Sequence, residues 1–375
     1  MVAMSGGVDS SLAAALLHEQ GHHVVGVTMH LWDDDEGLAE SLCCSLEMTE
    51  SARRVCAQLG VPYYVFNYQR EFRHHVIEHF VHAYTQGYTP NPCLECNREI
   101  KFRALLERAQ TLGFAAIATG HYARITTTDD EPPSALSPQP SALSPQPSAL
   151  SPQRYQLHRA TDPAKDQSYL VHMLSQRDLA RVRFPVGELT KAQVRALAAA
   201  RGLDSANRPE SQDICFVPGG DYRKVLREAA PQSLVPGPIV DLAGRELGRH
   251  QGLPLYTVGQ RRGLGLGGGQ PLFVVALDIE RNALIVGPPA AILHNQFAVD
   301  QAGFIDGQWP AAPFTCLVQV RAHADPAPAE VTPLPDQRLA VRLHAPLKAI
   351  TPGQAAVFYL GDQVLGGGRI VRPRV

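Results

Sequence analysis

Val2-Ala3-Met4-Ser5-Gly6-Gly7-Val8-Asp9-Ser10-Ser11 opens the chain and decides the reading of its fold. Val2-Ala3-Met4 is a short apolar run, the tail of a strand. Ser11-Leu12-Ala13-Ala14-Ala15-Leu16-Leu17 reads as a helix ending near Gly21. A strand, a glycine turn and a helix start bring backbone N–H groups and the positive helix end to one small volume, which suits an anion and most readily a phosphate. Gly6 and Gly7 let the backbone approach closely, and the hydroxyls of Ser5 and Ser10 add donors. The string lacks the Gly-Lys-Ser/Thr ending of a Walker A loop. Only four residues precede Ser5, so a short first strand and a start codon further upstream are expected.

Working outward, His23–Met29 is a β-rich run of the kind buried in parallel sheets. Residues 47–59 read as a helix stopping at Gly60, Tyr63–Phe66 as a strand, and about 70–85 as a further helix. Asn97 is a candidate cap for a helix over 98–112, and Ala115–Ala118 is a strand that runs straight into Thr119-Gly120-His121-Tyr122. Strands alternating with helices specify an α/β class with a doubly wound parallel sheet, whose ligands sit beyond the carboxyl ends of its strands. The Ser5–Ser10 loop and Thr119–Tyr122 both leave strands at that end, so the two are expected to converge. Residues 134–153 repeat Ser-Ala-Leu-Ser-Pro-Gln-Pro with period seven, a proline-rich loop insertion without chemistry of its own. A helix is expected over Lys191–Arg201. From about 235 onward, short β-rich runs between Gly and Pro suggest small β-barrel modules. Gly263–Gly269 contains a G-x-G-x-x-G string, but it leads into a strand and is no dinucleotide fingerprint.

The chain has 375 residues, 45% hydrophobic and 19% charged, with no apolar stretch of membrane-span length and no signal peptide before the loop; a cytoplasmic protein of two or three domains is expected. Seven cysteines, an odd number with two close pairs, fit a reducing compartment. The net charge of −2 is uneven: residues 1–150 carry 9 Lys/Arg against 17 Asp/Glu, residues 181–262 carry 13 against 8. A polyanion is therefore expected toward the middle of the chain.

Three further segments carry chemistry. Pro90-Asn91-Pro92-Cys93-Leu94-Glu95-Cys96-Asn97 places Cys96 immediately before the expected helix, where the helix end stabilises a thiolate. Ser211-Gln212-Asp213-Ile214-Cys215-Phe216 holds a distant second thiol, and spacing alone does not show the two meeting. Cys93, Cys96 and Cys215 leave an iron–sulfur cluster open as a rival, short of one ligand for a closed zinc site. Cys43, Cys44, Cys56 and Cys316 read as buried small residues, and His75, His79 and His82 as a solvated or half-buried helix stripe. Lys165-Asp166-Gln167-Ser168-Tyr169 groups a cation, an acid and an amide able to read a base edge. Met29 is placed to line an adenine pocket, with an ordinary core role as its rival.

The first loop matches the SGGxDS pyrophosphate loop of ATP pyrophosphatases. Together with Thr89–Pro92, Cys96–Phe102, Thr119–Arg124, Lys165–Leu170, Ser211–Phe216, Tyr256–Leu264 and Thr351–Ala355, it makes the chain resemble the tRNA-specific 2-thiouridylase family along nearly its whole length. The resemblance implies a pyrophosphatase-type, adenine nucleotide alpha hydrolase-like domain over 1–219. A small central tRNA-binding domain over 220–288 and a C-terminal β-barrel over 289–375 follow. It implies that ATP and Mg²⁺ bind at Ala3, Met4, Ser5, Gly6, Gly7, Val8, Asp9 and Ser10, with Met29 and Gly120 near the nucleotide. The wobble uridine of tRNAs for Lys, Glu and Gln would be adenylated at O2. Cys215 would carry sulfur as a persulfide from a cysteine desulfurase or relay protein, and Cys96 would resolve it, with a transient Cys96–Cys215 disulfide. Asn91, Pro92, Cys93, His121, Lys165, Asp166, Gln167, Arg321, Ala322 and Gln354 would contact tRNA. Cys93 stands where many members have Asp, and Ala322 where members often have an aromatic.

Overall fold

The computed structural model describes residues 1–32, 46–127, 154–206, 208, 214–267 and 270–372. Val2–Ala3 (β1), Gly26–His30 (β2), Tyr63–Asn67 (β3), Ile117–Ala118 (β4) and, further on, Val182–Arg183 form one parallel sheet. Between them in the chain, Ala123–Thr127 (β5) and Tyr155–Arg159 (β6) make a hairpin, which leaves Val182–Arg183 as β7. The sheet order is β3-β2-β1-β4-β7. The chain winds outward from β1 to β3 and returns to β4 on the other side of β1. That reversal puts the topological switch point, where open α/β sheets bind ligands, at the carboxyl ends of β1 and β4.

Helices Val8–Glu19 (α1), Leu46–Leu59 (α2), 69–85 (α3), 92–111 (α4) and Lys191–Ala200 (α5) cover the sheet. The inward face of α1 is Val8, Leu12, Ala13, Ala14 and Ala15, all buried. Its small side chains let α5 pack close, with Val194 and Ala198 in the same cluster as Val55 and Cys56 of α2. Strand β2 begins at Gly26, later than the expected His23, and of the preceding residues Val25 already accepts the Val2 N–H of β1 at 2.8 Å. Strand β3 lies at the sheet edge, and its Tyr64 and Val65 are exposed rather than enclosed.

The expected helix start at Asn97 is corrected. Helix α4 begins at Pro92, with Asn91 as its cap accepting the Cys93 N–H at 3.1 Å. Proline fits the first helical position, where its missing N–H is no loss, and Asn is among the best caps. Both α3 and α4 widen into π-type turns, over Arg73–Glu78 and Cys96–Ala104, and these stretches lie against each other. Such widenings recur at functional sites.

Gly237–Val240 (β8), Glu246–His250 (β9), Phe273–Asp278 (β10) and Ala283–Gly287 (β11) form a small central sheet in the order β10-β11-β8-β9. The helix Tyr222–Ala229 that precedes this sheet docks on α3, with the Tyr222 ring stacked on Tyr84 at 4.5 Å. Leu293–Phe304 (β12), Phe314–Gln319 (β13), Ala327–Pro333 (β14), Leu339–Lys348 (β15), Ala355–Leu360 (β16) and Gln363–Ile370 (β17) follow. They close into a six-stranded barrel through the β12–β17 pairing, around Val299, Val318, Val331, Val341 and Phe358. Strand β17 also pairs with β6, so the β5–β6 hairpin of the first domain extends the barrel's sheet. The repeat at 134–153 lies outside the described residues, between the paired Thr127 and Tyr155.

His172 seals this joint. It is 4% exposed, its Nδ1 bonds the Tyr169 carbonyl at 2.8 Å, and its ring rests where any side chain at Gly367 of β17 would sit. Burial, with the nearby Arg98 charge, pulls its pKa down to about 4. The unfolded chain therefore binds the extra proton first. The stability held by neutral His172 is complete above pH 6.5 and drains as pH falls toward 4, by about 3 kcal/mol at about 1.4 kcal/mol per pH unit. Thermal unfolding of His172→Gln is expected to show a flatter pH dependence between pH 6.5 and 4 than wild type. Equal slopes would contradict this account.

Candidate active site

The loop after β1 meets the turn after β4. Gly7 is the N-cap of α1 and has no side chain to close the helix end, which leaves first-turn N–H groups for an anion. The loop's shape is held from within. The Ser10 hydroxyl accepts the Ser5 N–H at 3.2 Å and donates to the Gly7 carbonyl at 3.1 Å, and the Ser5 and Ser10 hydroxyls are 3.3 Å apart. Gly6 has φ of +75°, and a Cβ there would lie 2.3 Å from the Met48 carbonyl oxygen of α2. Glycine is required on both counts. Gly120 is pressed onto the loop itself: a Cβ on it would meet Ser10 N at 2.6 Å and the Asp9 carbonyl carbon at 2.8 Å. Uncapped helix end, paired hydroxyls and a carboxylate form a donor set that suits a triphosphate with its divalent cation.

Asp9 is gripped from two sides. Tyr122 donates its hydroxyl to Asp9 Oδ1 at 2.6 Å, and Lys191 Nζ lies 2.7 and 2.8 Å from the two carboxylate oxygens. Tyr122 is tied in turn to Gln167, whose Oε1 accepts the Tyr122 N–H at 2.9 Å while its own N–H donates to the Tyr122 carbonyl at 2.8 Å. His121 points away from solvent. It is 7% exposed, shares a 2.7 Å hydrogen bond with Thr119 Oγ1, and sits between Phe102 and Phe184. Burial, reinforced by the Lys101 charge, holds its pKa well below the usual histidine range, so the ring is neutral. Asp166 is turned inward too, accepting from Arg159, the Ala160 N–H, the Ser168 N–H and the Ser168 hydroxyl. Its carboxylate shapes the loop that carries Lys165 and Gln167.

Cys96 lies inside α4, one turn past its start, so the helix-end argument applies to the exposed Cys93 rather than to buried Cys96. Cys96 belongs to the main apolar cluster, and half-buried Cys215 packs against that same cluster. Phe216 anchors the second thiol's segment, its ring edge-on to Phe72 at 5.8 Å and to Phe80 at 5.2 Å, both on α3. The start of α4 packs on α3 as well, so one helix supports both thiol segments. Asn97 ties the Cys96 helix to the Lys165–Leu170 segment by donating to the Leu170 carbonyl at 2.7 Å. Among the described residues no three His, Cys, Asp or Glu side chains gather as a metal-holding group. Cys56 and Cys316 are buried, with burial pushing their thiols up to about 11 and 12. Cys43, Cys44 and Ser211–Asp213 lie outside the described residues. His79 and His82 are exposed, and His75 bonds Arg103 at 3.1 Å.

The remaining candidates sit where the barrel touches the Asn91 segment. Gln354 Nε2 donates to the Thr89 carbonyl at 2.7 Å, and the Thr89 N–H donates to the Pro352 carbonyl at 2.9 Å. Arg321 bonds the Ala349 carbonyl and Thr351 Oγ1, while Ala322 accepts from Gln319 at 3.0 Å and packs on the main core. Gln354 thus holds the segment that leads into Asn91 and the buried Pro92, while Arg321 braces the Ala349–Thr351 turn of the barrel. Met29 is the penultimate residue of β2, half-buried against the core. Lys191 is the site residue that the sequence reading missed, because only its place as first residue of a helix was visible there.

Comparison with known proteins shows the family to which the chain is similar. Residues 1–219 match the family model described as tRNA methyl transferase HUP domain, residues 223–288 its PRC-barrel domain, and residues 294–370 the aminomethyltransferase beta-barrel domain. The chain is 66% identical over 373 residues to the tRNA-specific 2-thiouridylase MnmA of Roseiflexus castenholzii, covering 99% of each. It is 65% identical over 376 residues to that of Chloroflexus aurantiacus, covering 100% of this chain and 99% of the relative. The Herpetosiphon aurantiacus relative of the same name is 52% identical, with 100% and 98% covered. Among solved structures, the U34-tRNA thiolase NcsA from Methanococcus maripaludis with its 4Fe-4S cluster is 15% identical at a TM-score of 0.33, over 61% of this chain and 65% of its own. A likeness that slight carries no argument about this chain.

Proposed function

The chain belongs to the tRNA-specific 2-thiouridylase family, and on that premise we propose that it replaces the C2 oxygen of the wobble uridine with sulfur in tRNAs for Lys, Glu and Gln. The observation that carries this reading is the meeting of the phosphate loop and the Gly120 turn at the switch point, with both thiol segments supported by α3.

ATP binds along Ala3–Ser10, with its phosphates at the open end of α1, Gly120 beneath and Met29 toward the base. Asp9 would hold Mg²⁺, which would supply neutralisation of the phosphate charge. The uridine O2 attacks the α-phosphorus, and pyrophosphate leaves. This converts an oxygen that departs poorly into an adenylate that departs well. Cys215, loaded as a persulfide by a cysteine desulfurase or relay protein, delivers its terminal sulfur to C2 and AMP leaves. Cys96 then attacks the Cys215 sulfur, which frees the thiolated base and leaves a Cys96–Cys215 disulfide for reduction. In the alternative order, Cys96 attacks the persulfide first and liberates sulfide as the nucleophile. Asn91, Pro92 and Cys93 flank the base. Lys165, Gln167, Arg321 and Gln354 take the RNA, Asp166 and His121 act by shaping the segments around them, and Ala322 leaves space where an aromatic would stack.

Unmodified tRNA-Lys incubated with the protein, ATP, Mg²⁺ and a desulfurase sulfur supply is expected to gain one sulfur for one oxygen at the wobble uridine by mass spectrometry, without added iron. Cleavage of ATP to AMP and pyrophosphate with no sulfur gained would assign another acceptor.

A further inference from the structure

We propose that Lys191 is a positioning residue of the ATP site: its ammonium occupies Asp9 until a metal–nucleotide complex arrives, then passes to the departing pyrophosphate. The inference rests on the reading of Ser5–Ser10 as the ATP loop. Its own support is a contact across 182 residues of chain, in which one ammonium lies 2.7 and 2.8 Å from both oxygens of the loop's only carboxylate. The Lys191 side chain is 12% exposed and that of Asp9 29%, so water competes little for the pair.

The lysine is aimed by its backbone. Lys191 is the first residue of α5, behind a Thr190–Gln193 capping box, and its N–H donates to Asp162 Oδ2 at 2.9 Å. The stem therefore starts from a fixed point, and the Tyr122 ring flanks the ammonium at 5.7 Å. Its freedom is confined to side-chain rotation beside the loop.

A carboxylate already neutralised by an ammonium is a poor ligand for a bare divalent cation, which would enter beside a like charge. A cation carrying a triphosphate brings the anion that the ammonium needs on leaving Asp9. Tyr122 stays on Oδ1 throughout and keeps the carboxylate aimed. The pair thus favours metal and nucleotide arriving together, and on cleavage it places a positive charge where the pyrophosphate charge grows.

The test compares the full-length protein with Lys191→Met, which keeps the aliphatic stem, and Lys191→Arg, which keeps the charge. Calorimetry measures Mg–ATP and Mg–pyrophosphate, and paramagnetic titration measures Mn²⁺ alone. Lys191→Met is expected to bind both Mg complexes about ten- to a hundredfold more weakly, the cost of a hydrogen bond to a charged group, yet to bind free Mn²⁺ about tenfold more tightly. Lys191→Arg is expected to recover most of the pyrophosphate affinity. Unchanged Mg–ATP binding in Lys191→Met overturns the proposal. Parallel loss of Mg–ATP and Mn²⁺ binding also overturns it, since that is what a mere strut for α5 would show. Absence of ATP binding by the unmodified protein is a different failure, that of the ATP-loop reading itself.

Discussion

Cys96→Ser and Cys215→Ser are each expected to lower sulfur incorporation into tRNA by about three orders of magnitude or more, while ATP affinity stays within about twofold of wild type. A serine hydroxyl neither carries persulfide sulfur nor resolves it, and covalent partners that act as a unit fail together when either is removed. ATP binding is expected to be insulated from the change, because the phosphate loop is held by contacts with Tyr122, Lys191, Gly120, Thr28 and Ser51. Both substitutions conserve volume closely, and neither position forms a disulfide in this structure, so thermal stability is expected to stay near wild type. Thiolation is read by mass spectrometry of the wobble nucleoside and ATP binding by calorimetry. Full thiolation by either variant would sink the two-thiol scheme.

The second large effect is expected at Gly120. Gly120→Ala places a methyl group 2.6 Å from Ser10 N and 2.9 Å from Asp9 Cβ, contacts that the rigid backbone of the loop and the first turn of α1 cannot yield without moving. Overpacking of this kind costs roughly 1–3 kcal/mol. Relief comes from separating the two segments that form the phosphate site. ATP affinity is expected to fall about a hundredfold, with KM for ATP rising accordingly, while affinity for tRNA, proposed above to involve Arg321 and Gln354 at the barrel, is retained. An unchanged KM for ATP with an intact fold would show that the turn after β4 does not bear on the nucleotide.

These expectations differ in how much of them the sequence made visible. The phosphate loop is local: strand tail, glycines, hydroxyls and helix follow one another within a dozen residues, so the physics of the site is written in one line. The convergence of Thr119–Tyr122 is legible at one remove, since both segments leave strands at the same end of a parallel sheet. Asn91-Pro92 carries a helix-start signal, cap followed by proline, that outranks Asn97, and reading it would have placed Cys96 correctly within the helix. Lys191 has no such signal. Its partner is Asp9, and only the close packing of α5 on the alanine face of α1 brings them together. Asp166 shows the opposite case, in which a residue type suited to reading a base is used up on Arg159 and three local donors.

The pairing of β6 with β17 separates units of inheritance from units of folding. Family models divide the chain near residues 219 and 294, as if three pieces had been joined end to end. Yet strand β6, encoded in the first piece, finishes the sheet of the last, and Tyr169 of the first exchanges hydrogen bonds with the backbone of Ala355 in the last. A gene fragment ending at 219 would inherit the whole phosphate cradle and still leave β6 as a bare edge with Tyr169 and His172 stripped of cover, a surface prone to self-association. The ancestral seam and the physical seam do not coincide, and a workable truncation has to respect the second.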